Sequence, residues 1–190
     1  MMSDNRIVYA ELMGQQYPMC LTVSADALIV EEFGSMQEMW AALKGEHAAD
    51  VVDAYVGFSA ILLEGGRDRV NTLAKLQGEA PALPPVFNLR ENWGILTKPE
   101  LEGLTNAALR AFVAGRSRTV EAVPPKKARS HAVSLNTAWY LYYGRQFGMT
   151  RAEVLSCPVG ELRDMIACLQ ISNGAEPVVY GDVDDLAAIR

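Results

Sequence analysis

Histidine, the usual general base and metal ligand, is nearly missing from this chain, which has only His47 and His131. Cysteine is scarce as well. Cys20, Cys157 and Cys168 are odd in number and widely separated, so they describe no disulfide framework, and their spacing to the two histidines matches no zinc site. Such usage fits a reducing compartment. Neither common glycine-rich phosphate loop is present, which removes the standard nucleotide cradles. Asp182, Asp184 and Asp185 lack the glycine and the distal glutamate of a calcium loop. The longest apolar run, near residues 54–63, contains Gly57 and Ser59 and falls far short of a bilayer span. The first twelve residues carry charges where a signal peptide needs an apolar stretch. These absences lead us to expect a soluble, cytoplasmic, non-enzymatic protein with no cofactor, no metal and no membrane partner.

What is present suffices for a core. Half of the 190 residues are hydrophobic, enough for one domain or a domain with a small appendage. The net charge of −6 argues against nucleic acid as the main partner, but the charge is uneven. Between residues 116 and 129, Arg116, Arg118, Lys126, Lys127 and Arg129 face Glu121 alone, about +4 in an otherwise acidic chain.

Two stretches rich in β-formers, Arg6–Leu12 and Tyr17–Val23, flank Met13-Gly14-Gln15-Gln16 and predict a β-hairpin with a four-residue loop. Pro18 cannot donate to a ladder, so either its strand lies at an edge or the pairing starts after it. Helices follow. Ser24 is the expected cap of Ala25–Phe33, and Ser35 with Glu38 writes a capping box ahead of Met39, Trp40 and Leu43. Asp50–Leu63 is the most apolar helix, with Gly65-Gly66 as its stop and a separate helix over Arg67–Leu76. A loop with three prolines leads to Thr97 and Glu100, a second capping box, and Leu101, Leu104, Ala108 and Phe112 continue at helical spacing to Gly115. Residues 116–130 have no apolar period and read as a basic, Pro-containing tether.

Residues 131–190 read as a small helical unit with an acidic tail. Asn136 or Ser134 caps a helix ending at Phe147, Thr150 and Glu153 form a third capping box, and Cys157-Pro158 leads into the stripe Leu162, Met165, Ile166 and Leu169. The expected organisation is therefore α+β and mostly α-helical: a hairpin and helical bundle over 1–115, the tether over 116–130, and three short helices in 131–190. The first of those helices carries Trp139, Tyr140, Tyr142, Tyr143 and Phe147 within nine residues, more than one face can hold. Either they build a small aromatic core or they present a partner surface.

Chemistry is thin. Cys157 stands where a helix N-terminus could activate a thiol, but no histidine lies near it, and a small buried side chain is the plainer reading. Cys168 lies on the Leu162–Leu169 stripe and reads as packing. The run Gly65-Gly66-Arg67-Asp68-Arg69 admits an anion at a helix start, or simply a helix stop and a charged turn.

The order of elements resembles the tail assembly chaperones of long-tailed bacteriophages and related prophages. The residues carrying the resemblance are YPMCLTV at 17–23 followed by EEFGSMQEM at 31–39, LLEGGR at 62–67, and LTKPEL at 96–101 beyond a Pro-rich loop. In the second unit they are GMTRAEVL at 148–155 and GELRDMI at 160–166, similar to the C-terminal extension such proteins can carry. The resemblance implies a cytoplasmic role in a bacterial host, binding the tape-measure protein and recruiting tail-tube protein, with homo-oligomerisation left open. It places partner contacts on Trp139, Tyr142, Tyr143 and Phe147, with Arg116, Lys126, Lys127 and Arg129 in the tether. The alternatives are a structural tail component or, further off, a small thiol enzyme using Cys157.

Overall fold

A computed structural model describes residues 5–80, 87–123 and 136–179. The chain is a mostly helical α+β protein: an N-terminal hairpin, central helices, and C-terminal helices accompanied by a small two-stranded sheet.

Strands β1 (Val8–Leu12) and β2 (Gln15–Met19) pair antiparallel from Val8↔Met19 to Leu12↔Gln15. The loop is two residues, not four. Met13 and Gly14 both have positive φ, 51° and 72°, the type I′ geometry whose twist suits a tight hairpin. With Leu12↔Gln15 closing the turn, hydrogen-bonded pairs alternate along the ladder, and Pro18, opposite Tyr9, falls at a non-bonded position where its missing N–H costs no rung. Ala10, Leu12, Tyr17 and Met19 are buried, while Tyr9 and Glu11 face out.

Helix α1 (Val23–Phe33) starts one residue after Thr22, which displaces Ser24 as the cap because its hydroxyl accepts the Ala25 N–H at 3.2 Å. Ser35 caps α2 (Met36–Leu43) as expected. Helix α3 runs unbroken from Ala48 to Leu76, straight through Gly65-Gly66. Those glycines are a crossing point, not a stop. A methyl group on Gly65 would lie 2.5 Å from the Cys20 carbonyl oxygen, and one on Gly66 would lie 2.6 Å from the Met19 nitrogen and overlap the Pro18 carbonyl. The Cys20 N–H donates to the Leu62 carbonyl at 3.0 Å across the same contact. A short helix α4 (Leu89–Asn92) and a single 3-10 turn (Trp93–Ile95) precede α5 (Lys98–Arg116). The Glu100 carboxylate accepts the Thr97 hydroxyl at 2.6 Å, the Thr97 N–H at 2.8 Å and the Met13 N–H at 2.8 Å, so one side chain caps α5 and anchors the hairpin turn. These bonds, the Thr97 hydroxyl foremost, hold the Glu100 carboxyl below the usual glutamate range.

The segment after α5 departs from the expected tether. Strand β3 (Val120–Val123) pairs antiparallel with β4 (Glu176–Val179), and Asp164 binds the Thr119 and Val120 N–H groups and Arg6. Helices α6 (Thr137–Gln146), α7 (Arg151–Ser156) and α8 (Val159–Ser172) follow. Their buried residues Tyr140, Val154, Leu162 and Ile166 join the same hydrophobic cluster as Leu12, Ile29, Phe58 and Leu104. Backbone bonds stitch the two ends: the Val23 N–H to the Cys157 carbonyl at 3.0 Å, and the Val159 N–H to the Leu21 carbonyl at 3.2 Å. Among the described residues, no helix is long and apolar enough to cross a membrane.

Candidate functional site

Helix α6 is begun by Asn136, whose side-chain oxygen accepts the Trp139 N–H at 3.2 Å. One stripe faces the core. Tyr140 is buried, Gly144 lets Val154 of α7 pack against the backbone, and Phe147 is half-buried against the same cluster. The Tyr140 hydroxyl accepts a bond from the Arg163 Nε at 2.8 Å, giving the buried phenol a partner. Burial pushes the Tyr140 phenol up, against the opposing pull of the Arg163 charge.

At 100° per residue, Trp139, Tyr142 and Tyr143 fall beside that stripe on the outer face. Tyr142 is 54% and Trp139 40% exposed, and Tyr143 is half-buried. Their rings form a closed triad with centroid distances of 5.9 Å (Trp139–Tyr142), 6.0 Å (Trp139–Tyr143) and 5.4 Å (Tyr142–Tyr143). Each pair holds the others in place, worth on the order of 0.5–1.5 kcal/mol per pair where it is shielded from water. The result is a preordered aromatic patch with polar tips. Tyr140 is buried in the core, Tyr143 and Phe147 pack half-buried against it, and Trp139 and Tyr142 are exposed.

Of the four basic residues expected in the tether, only Arg116 is among the described residues. Arg116 is the last residue of α5, with its Nη2 3.0 Å from Asp26 Oδ1 and its guanidinium 4.9 Å from the Phe112 ring centroid. It is committed to the fold, because a helix-terminal arginine beside an acidic first turn of α1 finds its partner locally. Lys126, Lys127 and Arg129 lie outside the described residues, as does His131.

Sequence reasoning passed over the next feature. Between α6 and α7 lies a recess of about 540 Å³ lined by Leu141, Arg145, Met149, Thr150, Arg151 and Val154. Leu141 and Arg145 flank the buried stripe of α6 on the side opposite Trp139 and Tyr143. Thr150 and Glu153 complete the expected capping box of α7: the Thr150 N–H reaches Glu153 Oε2 at 2.6 Å, and the Glu153 N–H reaches the Thr150 hydroxyl at 3.3 Å. The Thr150 bonds, the backbone one first, hold the Glu153 carboxyl below its ordinary range. The signal available beforehand was charge: from 136 to 152 the only charged side chains are Arg145 and Arg151. A second recess, of about 290 Å³, is lined by Tyr17, Leu63, Arg67, Phe87 and Arg90 among others.

The thiols behave differently from their sequence reading in one case. Cys20 and Cys157 are fully buried, but Cys168 is exposed on the outer face of α8. The apolar stripe of α8 turns inward through Leu162 and Ile166, which leaves position 168 outside. Native protein treated with an aromatic disulfide reagent at neutral pH is therefore expected to release about one equivalent of thiolate quickly, and three after denaturation. Loss of the fast phase in Cys168→Ser and its retention in Cys157→Ser is the check; a fast phase that follows Cys157 would contradict the burial and revive a reactive thiol there.

Among the described residues, no group of three or more His, Cys, Asp or Glu side chains is placed to hold a metal ion. No protein-family profile, curated protein or solved structure matches this chain.

Proposed function

We propose that this protein is a non-enzymatic tail assembly chaperone of a long-tailed phage or prophage, acting in the cytoplasm of the bacterial host. In this reading it covers apolar stripes of the tape-measure protein and recruits tail-tube subunits. The resemblance at residues 17–39, 62–67, 96–101 and 148–166 supports it. The structural observation that carries it is the pair of exposed rings, Trp139 and Tyr142, held in a triad by the half-buried Tyr143 on a helix fixed by Tyr140 and Arg163. Exposing two large rings on one helix face has a solubility cost that a monomer gains nothing from, whereas large aromatic side chains are the residues on which interface energy concentrates. A long helical partner awaiting assembly exposes apolar stripes of its own, and a reversible aromatic surface shields them without chemistry. Residues 1–115 are assigned to the tape measure and the α6 face to the tube subunit.

Co-expression tests this directly. Trp139→Ala/Tyr143→Ala is expected to lose about 2 kcal/mol or more of tube-protein binding, roughly thirtyfold, measured by titration of purified proteins. The melting temperature should fall by several degrees at most, because Tyr140 remains seated and only the half-buried Tyr143 of the two packs against the core. Capture of tube protein as well as wild type sinks the assignment. Recovery of the chain in purified virions would instead mark it as a structural tail component.

A further inference from the structure

We propose that the recess between α6 and α7 is a second contact on the partner, and that it takes an acidic amphipathic helix: an apolar side chain seated between two carboxylates. This rests on the reading of the chain as a partner-binding protein, but on a different face of α6 from the aromatic triad. The floor is apolar, made by Leu141, Met149 and Val154, and the rim carries Arg145 and Arg151, both exposed. Neither arginine forms an ion pair or a side-chain hydrogen bond with any described residue, whereas Arg6, Arg69, Arg90, Arg116 and Arg118 are all paired. Glu153, the nearest acid in sequence, spends its carboxylate on the Thr150 N–H at 2.6 Å. From 136 to 152 the charge is purely positive, in a chain of net charge −6.

Those facts select the occupant. An apolar floor wants an aliphatic or aromatic knob, and two guanidiniums on the rim with no ion-pair partner among the described residues want carboxylates, which arginine binds in a planar, bidentate fork. A helix supplies both at once, since residues three and four apart share a face and can bracket an apolar residue with acids. A second copy of this chain could also supply acids, and a nucleic acid could supply phosphates. The apolar floor disfavours the latter, because sugar–phosphate backbone leaves Leu141, Met149 and Val154 uncovered.

The test uses the full chain and a labelled synthetic peptide of about twenty residues, helical, with leucines at i and i+4 spacing bracketed by glutamates. Anisotropy titration should show saturable binding that weakens with added salt and weakens about tenfold in Arg145→Glu/Arg151→Glu, as expected for two rim ion pairs. The same peptide with lysine replacing each glutamate should prefer the double variant over wild type. Thermal melts should be unchanged, since neither arginine has an ion-pair partner to lose among the described residues. Absence of saturable binding to wild type, equal binding to the double variant, or displacement of the peptide by a single-stranded oligonucleotide of equal charge would overturn the proposal, as would dimerisation of wild type that the double variant abolishes. Trp139→Ala/Tyr143→Ala should bind the peptide like wild type. If that variant keeps its tube protein while the arginine effects stand, the aromatic assignment fails and this one survives; the reverse pattern fails this one alone.

Discussion

Gly66→Ala should lower stability by about 3 kcal/mol, which in a chain of this length is a fall of roughly 6–12 °C in Tm. The sign is opposite to what the helix alone would give, because alanine is favoured over glycine in a helix interior by about 1 kcal/mol. Packing decides it. Helix α3 and strand β2 touch backbone to backbone at this position, where a methyl group would overlap the Pro18 carbonyl and lie 2.6 Å from the Met19 nitrogen. Neither atom is the end of a flexible side chain, so the hairpin itself must move away from α3. That movement would stretch the bond from the Cys20 N–H to the Leu62 carbonyl, 3.0 Å in the native fold, and loosen Tyr17 and Met19 from the core. Gly103→Ala on α5 is the control. It is exposed, with open space where the methyl would go, and should raise stability by about 0.5–1 kcal/mol. Chemical denaturation of both variants reads the pair, and a Gly66→Ala protein as stable as Gly103→Ala would mean that the close approach is absent.

The Gly65-Gly66 pair marks the line between what the sequence could be read for and what it could not. Helix starts were legible because capping is local: Ser35, Thr97, Asn136 and Thr150 each cap the helix expected of them. Gly65-Gly66 resembled a stop because a glycine pair ending a helix and one admitting a neighbouring strand have the same composition. Only the position of β2 separates the two. The hairpin was legible and its loop was not, since Met13 adopts a positive φ that its side chain gives no sign of wanting. Strands β3 and β4 were missed for a related reason. Val120–Val123 borders Pro124-Pro125 and a basic run, and its pairing partner is more than fifty residues away at Glu176–Val179, so no local pattern connects them. Among the site residues, the aromatics announced themselves by density, although Phe147 joined the core. Arg116 misled because it was counted with its basic neighbours, whereas its partner Asp26 lies ninety residues earlier. Arg145 and Arg151 drew no notice because single exposed arginines on two successive helices look like ordinary solvation until the floor between them is seen.

Asp164 is the other residue on which a large effect is expected, and it links the fold to the display of α6. Its Oδ1 accepts the Thr119 N–H at 2.9 Å and the Val120 N–H at 3.2 Å. Its Oδ2 accepts the Thr119 hydroxyl at 3.0 Å and Arg6 Nη2 at 3.0 Å, and the carboxylate side chain is only 14% exposed. One carboxylate thus gathers the start of the chain, the first residues of β3 and helix α8. Removing it leaves two backbone N–H groups and the Thr119 hydroxyl without this acceptor, where Thr119 is exposed and Val120 half-buried. Asp164→Ala is accordingly expected to cost about 2–4 kcal/mol, less than the sum of four charge-assisted bonds because the site is partly wet and the bonds are not independent. Asp164→Asn separates the contributions. An amide oxygen can keep both backbone N–H groups, but its NH₂ would then face Arg6 as donor against donor, so an intermediate loss is expected. Hydrogen exchange at Thr119 and Val120 should accelerate strongly in the alanine variant and little in the asparagine variant. The neighbouring residue on α8 is Arg163, whose bond to Tyr140 fixes α6 and with it the aromatic triad. Loosening α8 at Asp164 should therefore weaken partner capture without touching any contacting side chain, an effect that tracks stability across the two variants. A stable Asp164→Ala protein, melting within a degree of wild type, would show that β3 and α8 hold together without this carboxylate, through the strand pairing with β4 and the shared core alone.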